Sequence, residues 1–325
     1  MSEPHGRLQK PPVLPPGGTV GVVAPASPIH ARSDLLRGTR RWEAAGFKVK
    51  ISPQVFAQDG FLAGSDEARA EALMAMFADP QIDAVQVVHG GYGSTKIIQH
   101  LDFNIIQRNP KPFVGRSDIT ALHLAMARHA GLVTFYGPGL ADMAAPRGSE
   151  FTAAAVQHAL TTCDALGPLP LHPQDGFLRA LAPGQVTAPV AGGCLWPLCK
   201  SIGTPWQPDL RDKVFFFEEV GEPPWSMDAH LTHLTQAGVL DGVAGVVIGR
   251  LKHCEWSEGR PEYPSNLSLD EVLDRHFAHR GVPVLHGIPV GHEADTLTIP
   301  LGVAVTLETD AETGRLIFEE AGVGP

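Results

Sequence analysis

A serine lies where a short apolar strand pattern changes to a helical one, within PFVGRSDITALHLAMAR at residues 112–128. The apolar residues before Gly115 predict a strand, Gly115 a sharp turn, and the alanine-rich stretch from Ile119 a helix. Ser117 is then expected beside the first free N–H groups of the helix, which favour the negative charge that develops when a carbonyl is attacked. The alternative is that Ser117 and Asp118 only begin the helix, as its cap and first acidic residue.

A glycine-rich turn, HGGYGS at residues 89–94, follows a predicted buried strand at residues 84–88. The turn lacks the Lys-Ser/Thr of a phosphate-binding P-loop, and the dinucleotide pattern GxGxxG is absent. Its backbone N–H groups could instead approach a reacting oxygen, as in an oxyanion hole, or the segment could be a plain tight turn. If it and the serine turn end neighbouring parallel strands, both face one edge of the sheet.

A nucleophilic serine needs a base and a third group that orients the base. His292 lies in a predicted loop, GIPVGHEADTLTIPLG, just before a strand pattern. Glu218 and Glu219 follow the β-prone run KVFFF, at the end of a predicted strand. Strand alternation cannot separate the two glutamates, and each of these residues is also compatible with an ordinary surface role.

The elements that would position these groups alternate along the N-terminal half. Strands are predicted at 19–24, 47–51 and 84–88, and helices at 35–45 and 66–77. This alternation predicts an α/β fold with an open, mostly parallel sheet and sites at the carboxyl ends of its strands.

Proline and glycine recur from about residue 161 to 188 without a helical period, which predicts a linker. The expected division is therefore an N-terminal nucleophile domain at 1–165, a linker at 166–188 and a C-terminal domain at 189–325. In the C-terminal domain a turn is predicted at 190–193, before a helix at 194–202. The end of the chain alternates as antiparallel strands would.

Composition narrows the possible functions. The chain has 325 residues and a net charge of -10, which argues against nucleic acid or an anionic membrane surface as its partner. No apolar run reaches the roughly 18–20 residues of a membrane span, and no secretory signal is evident, so we expect a cytoplasmic protein. The fifteen histidines and four cysteines show no metal-ligand spacing, which predicts neither a metal site nor a cofactor.

Several segments together resemble the LD-carboxypeptidase family of serine peptidases, which includes muropeptide-recycling enzymes and microcin C immunity peptidases. They are VGVVAPASP, GGYGS, LDFNIIQRNPKPFVGRSDITALH, FFFEEVGE and PVGHEADTLTIPLG, and they run nearly from end to end. The resemblance implies a flavodoxin-like N-terminal domain and a smaller C-terminal α/β domain, with the active site in the cleft between them.

The resemblance also implies a Ser-Glu-His triad, and the matching positions are Ser117, Glu218 and His292. Ser117 would attack the carbonyl, His292 would act as base and then acid, and Glu218 would orient the imidazole. The family pattern favours Glu218 over Glu219. The backbone N–H groups of Gly91 and Asp118 are the expected oxyanion hole.

The chain departs from the family pattern at positions expected near the substrate. The family usually has arginine before the glycine turn, tyrosine before the serine and asparagine in the turn at residue 194, where this chain has His89, Arg116 and Cys194. These departures bear on substrate preference more than on the type of reaction. The expected substrate contacts are His89, Tyr92, Arg116, Cys194 and Trp225.

The main hypothesis is a cytoplasmic, cofactor-free carboxypeptidase of peptidoglycan recycling that removes the terminal D-alanine from murein tetrapeptides. The second is a microcin-immunity type peptidase that cleaves an acidic aminoacyl-nucleotide amide, with Trp196, Trp225 or Arg116 against the base. The third is an inactive binding homologue, suggested by the three departures. Family precedent implies a homodimer.

Overall fold

The computed structural model describes residues 7–144, 146–170, 178–256 and 267–325. The chain divides into two compact units, and neither is continuous in sequence. Unit 1 comprises Met1–Ala165, Ala294–Gly302 and Ala321–Pro325. Unit 2 comprises Leu166–Glu293 and Val303–Glu320.

A mostly parallel sheet forms the centre of unit 1, built from short apolar runs with many β-branched residues. Its strands are β1 (Thr19–Val23), β2 (Lys48–Ile51), β3 (Ala84–Val87), β4 (Phe113–Gly115), β5 (Thr134–Tyr136) and β12 (Ile299–Leu301). Their order is β12-β5-β4-β3-β1-β2. All neighbours pair in parallel except β12, which is antiparallel to β5. The expected parallel α/β fold of the N-terminal half is therefore confirmed.

Helices connect these strands, so the loops that follow β1, β2, β3 and β4 all lie at the carboxyl edge of the sheet. The helices are α1 (Arg32–Ala44), α2 (Asp66–Ala78), α3 (Ser94–Ile97), α4 (Phe103–Arg108), α5 (Thr120–His129) and α6 (Glu150–Thr161). Ser65 caps α2 by accepting a hydrogen bond from the Ala68 N–H, and Asp66 follows in the first turn. Trp42 of α1 is fully buried, and its Nε1 donates to Gln86 Oε1 at 2.8 Å in the core.

Unit 2 contains a larger mixed sheet. Its strands are β6 (Gly167–Pro168), β7 (Arg179–Ala182), β8 (Gly184–Cys194), β9 (Val214–Val220), β10 (Gly245–Lys252), β11 (Val284–His286), β13 (Ala304–Thr309) and β14 (Gly314–Phe318). Their order is β6-β14-β13-β8-β9-β10-β11-β7, with β8, β9, β10 and β11 in parallel. The helices are α7 (Leu195–Lys200), α8 (Pro224–Gln236) and α9 (Leu269–Phe277).

The structure differs from the sequence expectation in the region of the predicted linker. Residues 166–170 and 178–188 belong to unit 2 and include β6, β7 and the first part of β8, while residues 171–177 lie outside the described residues. The predicted turn at 190–193 is also part of β8. Gly192 occurs there because a Cβ would collide with the Phe216 carbonyl of the neighbouring strand.

The end of the chain also differs from the expected division, which assigned all of residues 189–325 to one domain. Residues 294–302 and 321–325 belong to unit 1. The reason is that β12 continues the sheet of unit 1, with Ile299 paired to Tyr136 and Leu301 to Thr134. The side chains of Ile299 and Leu301 are buried, so this edge strand contributes apolar surface to unit 1.

Candidate active site

Ser117 lies in a strained turn between β4 and α5. Its φ angle is 64°, in the left-handed region that residues other than glycine rarely adopt and that costs on the order of 1–3 kcal/mol. Gly115 makes the sharp turn possible, because a Cβ there would lie 2.7 Å from Ile119 Cγ2 and 3.0 Å from Val87 Cγ2. Ser117 is half-buried, whereas Arg116 and Asp118 on either side are buried. The turn therefore presents the serine and hides its neighbours.

The backbone polar groups of Ser117 hold this conformation. Its N–H donates to Tyr136 Oη at 3.0 Å, and its carbonyl accepts a hydrogen bond from Thr120 Oγ1 at 2.7 Å. A short 3₁₀ turn spans Ser117–Ile119, and α5 begins after it. The residues in the cap positions of the 3₁₀ turn and α5 are Arg116 and Ile119, without a side-chain cap bond. Ser117 is thus not the helix cap that sequence alone left open.

The glycine turn packs directly against the serine turn. A Cβ at Gly90 would lie 2.9 Å from both Ser117 Cβ and the Arg116 carbonyl oxygen. Ser94, which follows the glycines, donates its N–H to Asp118 Oδ2 at 2.7 Å and its hydroxyl to the Asp118 carbonyl at 2.6 Å. Since β3 and β4 are parallel neighbours, the two turns share one edge of the sheet, as the sequence predicted.

Two of the residues that hold these turns, Arg69 and Tyr136, were not predicted from the sequence. Arg69 of α2 is fully buried and donates to the Pro25 carbonyl at 2.6 Å and to the Gly93 carbonyl at 2.8 Å. Tyr136 lies on β5, the neighbour of β4 in the sheet, and its hydroxyl accepts a hydrogen bond from the Ser117 N–H. A signal for Arg69 exists in DEARAEALMAMF, because it is one helical turn before Leu73 on the buried face. Tyr136 has no comparable local signal.

The predicted oxyanion donors occupy different surroundings. Gly91 is exposed, with a φ of 99°, and a Cβ there would collide with the side chain of Ser27. Asp118 is buried, and burial raises the pKa of its carboxyl group while hydrogen bonds from Ser94 and Gly93 oppose the shift. Asp118 therefore links the two turns through its hydrogen bonds with Ser94, and its backbone N–H directly follows Ser117 in the chain.

Glu218 and His292 form a hydrogen-bonded pair in unit 2. Glu218 Oε2 lies 2.8 Å from His292 Nδ1, and the Glu218 side chain is completely buried. A carboxylate can only accept, so in the neutral imidazole this contact assigns the ring hydrogen to Nδ1 and leaves Nε2 as the acceptor. Lys252 Nζ donates to the His292 carbonyl at 3.1 Å and helps to fix the loop. The imidazole is held in the orientation and tautomer that a general base requires.

Glycines allow the carboxylate to approach the loop. A Cβ at Gly249 would lie 2.8 Å from Glu218 Cβ, and one at Gly291 would lie 3.1 Å from Glu218 Oε2. The pairing of β9 and β10 is also irregular between Ile248 and Leu251. Local bulges of this kind often redirect side chains beside active sites.

Glu219 makes a different set of contacts from its neighbour. Its carboxylate accepts hydrogen bonds from the Trp196 N–H at 2.7 Å, the Val220 N–H at 2.8 Å and Cys194 Sγ at 3.4 Å. Burial and the nearby Glu218 carboxylate raise the pKa of Glu219 to about 7. The geometry thus separates the two glutamates: Glu218 holds His292, and Glu219 holds the start of α7.

Two of the residues expected to contact the substrate, Arg116 and His89, instead bind other residues of unit 1. Arg116 is buried and pairs with Asp142, with Nη2 and Oδ2 3.2 Å apart. His89 Nε2 lies 2.8 Å from the Pro28 carbonyl, and burial lowers the pKa of this histidine. Tyr92, in contrast, is 43% exposed and packs edge-on against Phe61.

The remaining candidates lie in unit 2. Cys194 is buried, and burial together with Glu218 raises the pKa of its thiol well above the ordinary value. Trp225 at the start of α8 is 46% exposed. Trp196 lies near Lys200, whose Nζ is 5.2 Å from the indole centroid. Tyr92 and Trp225 are therefore exposed aromatic surfaces, whereas Cys194 contacts Glu219.

Within the described ranges, no group of three or more metal-ligating side chains is gathered in one place. None of the helices that the structure describes is long and apolar enough to cross a membrane.

A serine in left-handed geometry between a strand and a helix, and a histidine oriented by a buried carboxylate, are each features that serine hydrolases use. Two family models match the chain: the LD-carboxypeptidase N-terminal domain over residues 20–137 and the LD-carboxypeptidase C-terminal domain over residues 187–307. The chain belongs to the LD-carboxypeptidase family and is a serine carboxypeptidase.

Individual relatives agree with this assignment. The chain is 34% identical to a probable murein peptide carboxypeptidase of Bacillus subtilis, covering 97% of this chain and 95% of the relative. It is 30% identical to a murein tetrapeptide carboxypeptidase of Pseudomonas aeruginosa, covering 90% and 94%. Among solved structures, the microcin C7 self immunity protein MccF, in complex with aspartyl sulfamoyl adenosine, is similar with a TM-score of 0.86. The two are 23% identical over 96% of this chain and 99% of the other, and this likeness supports the fold alone.

Proposed function

We propose that this protein is a cytoplasmic LD-carboxypeptidase that hydrolyses the terminal L,D-peptide bond of murein tetrapeptides during peptidoglycan recycling. The observation that carries the proposal is the left-handed conformation of Ser117 together with its place in the turn between β4 and α5, at the carboxyl edge of the parallel sheet. The names of the Bacillus subtilis and Pseudomonas aeruginosa relatives support the substrate class.

The proposed mechanism uses Ser117, His292 and Glu218 as a triad. Ser117 Oγ attacks the carbonyl carbon of the scissile bond while His292 Nε2 takes the hydroxyl proton, and Glu218 stabilises the resulting imidazolium. The backbone N–H groups of Gly91 and Asp118 donate to the oxyanion. The intermediate collapses as His292 returns the proton to the amine of the leaving D-alanine, and water then hydrolyses the acyl-enzyme by the same steps.

Replacement of Ser117 by alanine tests this assignment. We expect Ser117→Ala to lower kcat for D-alanine release by at least about 10⁴-fold, because the nucleophile is lost. Ser33→Ala, at an exposed serine of α1, is the matched control. Chromatographic quantification of D-alanine from a murein tetrapeptide gives the rates, and circular dichroism checks the fold. Turnover by Ser117→Ala within tenfold of the control would exclude Ser117 as nucleophile.

A second candidate is the microcin-immunity activity, in which an amide between an acidic residue and a nucleotide-like group is cleaved. The exposed Trp225, which offers a stacking surface for a base, favours it. Comparing kcat/KM for a murein tetrapeptide with that for an aspartyl sulfamoyl adenosine distinguishes the two activities. The first proposal expects the tetrapeptide to be preferred, whereas preference for the nucleotide analogue would favour the second.

The inactive-homologue alternative is tested by covalent labelling. An activated serine reacts with a fluorophosphonate probe, so we expect one label on wild-type protein that is absent from Ser117→Ala. An unlabelled wild-type protein would favour a binding role. The homodimer implied by family precedent stays a proposal, which light scattering of the purified protein checks.

A further inference from the structure

A cavity of about 230 Å³ opens in unit 1 beside the loops that follow β1 and β2. Its wall combines apolar side chains, such as Val55 and Phe56, with the polar groups of His30, Arg32 and Gln58. These loops lie at the carboxyl edge of the parallel sheet, where ligands bind in folds of this class. The roles assigned to Ser117, Glu218 and His292 make no use of this cavity.

Arg32 gives the cavity a positive group. Its guanidinium lies 5.4 Å from the centroid of Phe56, which is 50% exposed. Within the described ranges, no carboxylate lies at ion-pair distance from Arg32, whereas Arg37 and Arg41 of the same helix pair with Asp34 and Glu150. A guanidinium stacked on an aromatic face keeps its N–H edge available for bidentate binding of a carboxylate.

Two histidines, His30 and His89, lie between the cavity and the serine turn. The ring of His30 lies 5.0 Å from that of His89, centroid to centroid, and His89 is bonded to the carbonyl of Pro28 in the cavity wall. Gly90 follows His89 and packs against Ser117. Burial lowers the pKa of His89, which disfavours its charged form, whereas the guanidinium of Arg32 brings a permanent positive charge to the cavity wall.

We propose that this cavity is a subsite for a carboxylate on the retained, acyl part of the peptide substrate, with Arg32 as the residue that recognises it. The inference rests on the proposed carboxypeptidase function. The leaving group of that reaction is a single residue, and the cavity is separated from Ser117 by Gly90, His89 and His30. Murein peptides provide the required group, because their glutamate is linked through its side chain and keeps a free α-carboxylate.

Two tetrapeptides test the subsite, one with the free glutamate α-carboxylate and one with the corresponding amide. We expect the wild-type protein to prefer the carboxylate by about 5–10-fold in kcat/KM, mostly through KM, because the contact is made equally in the ground and transition states. Arg32→Gln is expected to reduce this preference to about onefold. Arg40→Gln, at an exposed arginine of the same helix, should retain the preference. An unchanged preference in Arg32→Gln, or equal use of both peptides by the wild type, would overturn the subsite.

Direct binding separates this inference from the proposed reaction. Calorimetric titration of Ser117→Ala with the two tetrapeptides should show tighter binding of the carboxylate form, and Ser117→Ala/Arg32→Gln should lose the difference. Absence of D-alanine release by the wild type refutes the proposed function, while the binding difference would still support the subsite. Equal binding of both peptides by Ser117→Ala, or no measurable binding, refutes the subsite even if D-alanine is released.

Discussion

Ser117, the proposed nucleophile in unit 1, and the histidine–carboxylate pair in unit 2 are held by different kinds of interaction. Ser117 is fixed through its backbone, by an imposed left-handed φ and hydrogen bonds to Tyr136 and Thr120. His292 is fixed through its side chain, by a hydrogen bond to a carboxylate buried on a central strand. Backbone restraint leaves the serine hydroxyl available for chemistry, whereas side-chain restraint sets the tautomer of the imidazole.

The difference predicts which substitutions each region tolerates. In unit 1, a change that alters backbone packing should disturb the site even when no catalytic side chain is removed. In unit 2, a change of one functional group should disturb the site even when the packing is unchanged. Single substitutions in each unit compare these two kinds of sensitivity.

Among the variants that keep Ser117, the largest effect is expected when the carboxylate of Glu218 becomes an amide. We expect Glu218→Gln to lower kcat by about 10²–10⁴-fold, because an amide presents a donor as well as an acceptor to Nδ1 and cannot stabilise imidazolium charge. Steady-state rates of D-alanine release measure this decrease in kcat. Glu219→Gln is the matched control, one position along the strand, and should leave kcat within about threefold. Equal losses in the two variants would contradict the assignment of Glu218 as the orienting group.

The backbone arrangement of unit 1 is tested by adding a single methyl group. Gly90→Ala places a Cβ 2.9 Å from Ser117 Cβ and from the Arg116 carbonyl, so one of the two turns must move. We expect kcat to fall by about 10–100-fold, because small displacements of a nucleophile are costly. Gly324→Ala controls for the substitution, since its Cβ would have a contact no closer than 3.9 Å. Wild-type kcat in Gly90→Ala would show that the packing of the turns is not critical.

The comparison also explains what the sequence could predict. The strand–turn–helix pattern around Ser117 is local, because glycines, apolar runs and helix formers are read within about fifteen residues. The parallel orientation of the N-terminal strands follows from the alternation of strands and helices. Both were predicted correctly for these reasons.

Long-range contacts could not be predicted in the same way. Sequence alternation shows that Glu218 and Glu219 face opposite sides of β9, but not which side contains His292. The interaction of Tyr136 with Ser117, and the return of residues 294–302 to unit 1, depend on strand order in the folded sheet. Gly192 and Gly193 suggested a turn at residues 190–193, because the close approach of two strand backbones that requires Gly192 has no local sequence signal.

A smaller effect is expected from removing the hydroxyl group of Tyr136. Tyr136→Phe deletes the acceptor for the Ser117 N–H and leaves the ring in place. We expect a loss of about 1 kcal/mol in the free energy of unfolding and a decrease in kcat of about 5–10-fold, because the strained turn is less restrained. Denaturant unfolding and steady-state kinetics measure the two changes. A rise in KM with unchanged kcat would contradict a role in positioning the nucleophile.

The smallest effect on turnover is expected from Glu219→Gln. The titration of Glu219 should nevertheless give a measurable pH dependence of stability. Its pKa is raised from 4.5 to about 7 in the folded protein, so the folded state binds more protons than the unfolded state between these values. The contribution to stability is therefore fully present below about pH 4.5 and is lost as pH rises through about 7, by on the order of 1–3 kcal/mol. Glu219→Gln stays neutral and should flatten this part of the profile. Urea unfolding of wild type and variant between pH 5 and about 8 tests it, and parallel stability profiles would show that Glu219 is not the titrating group.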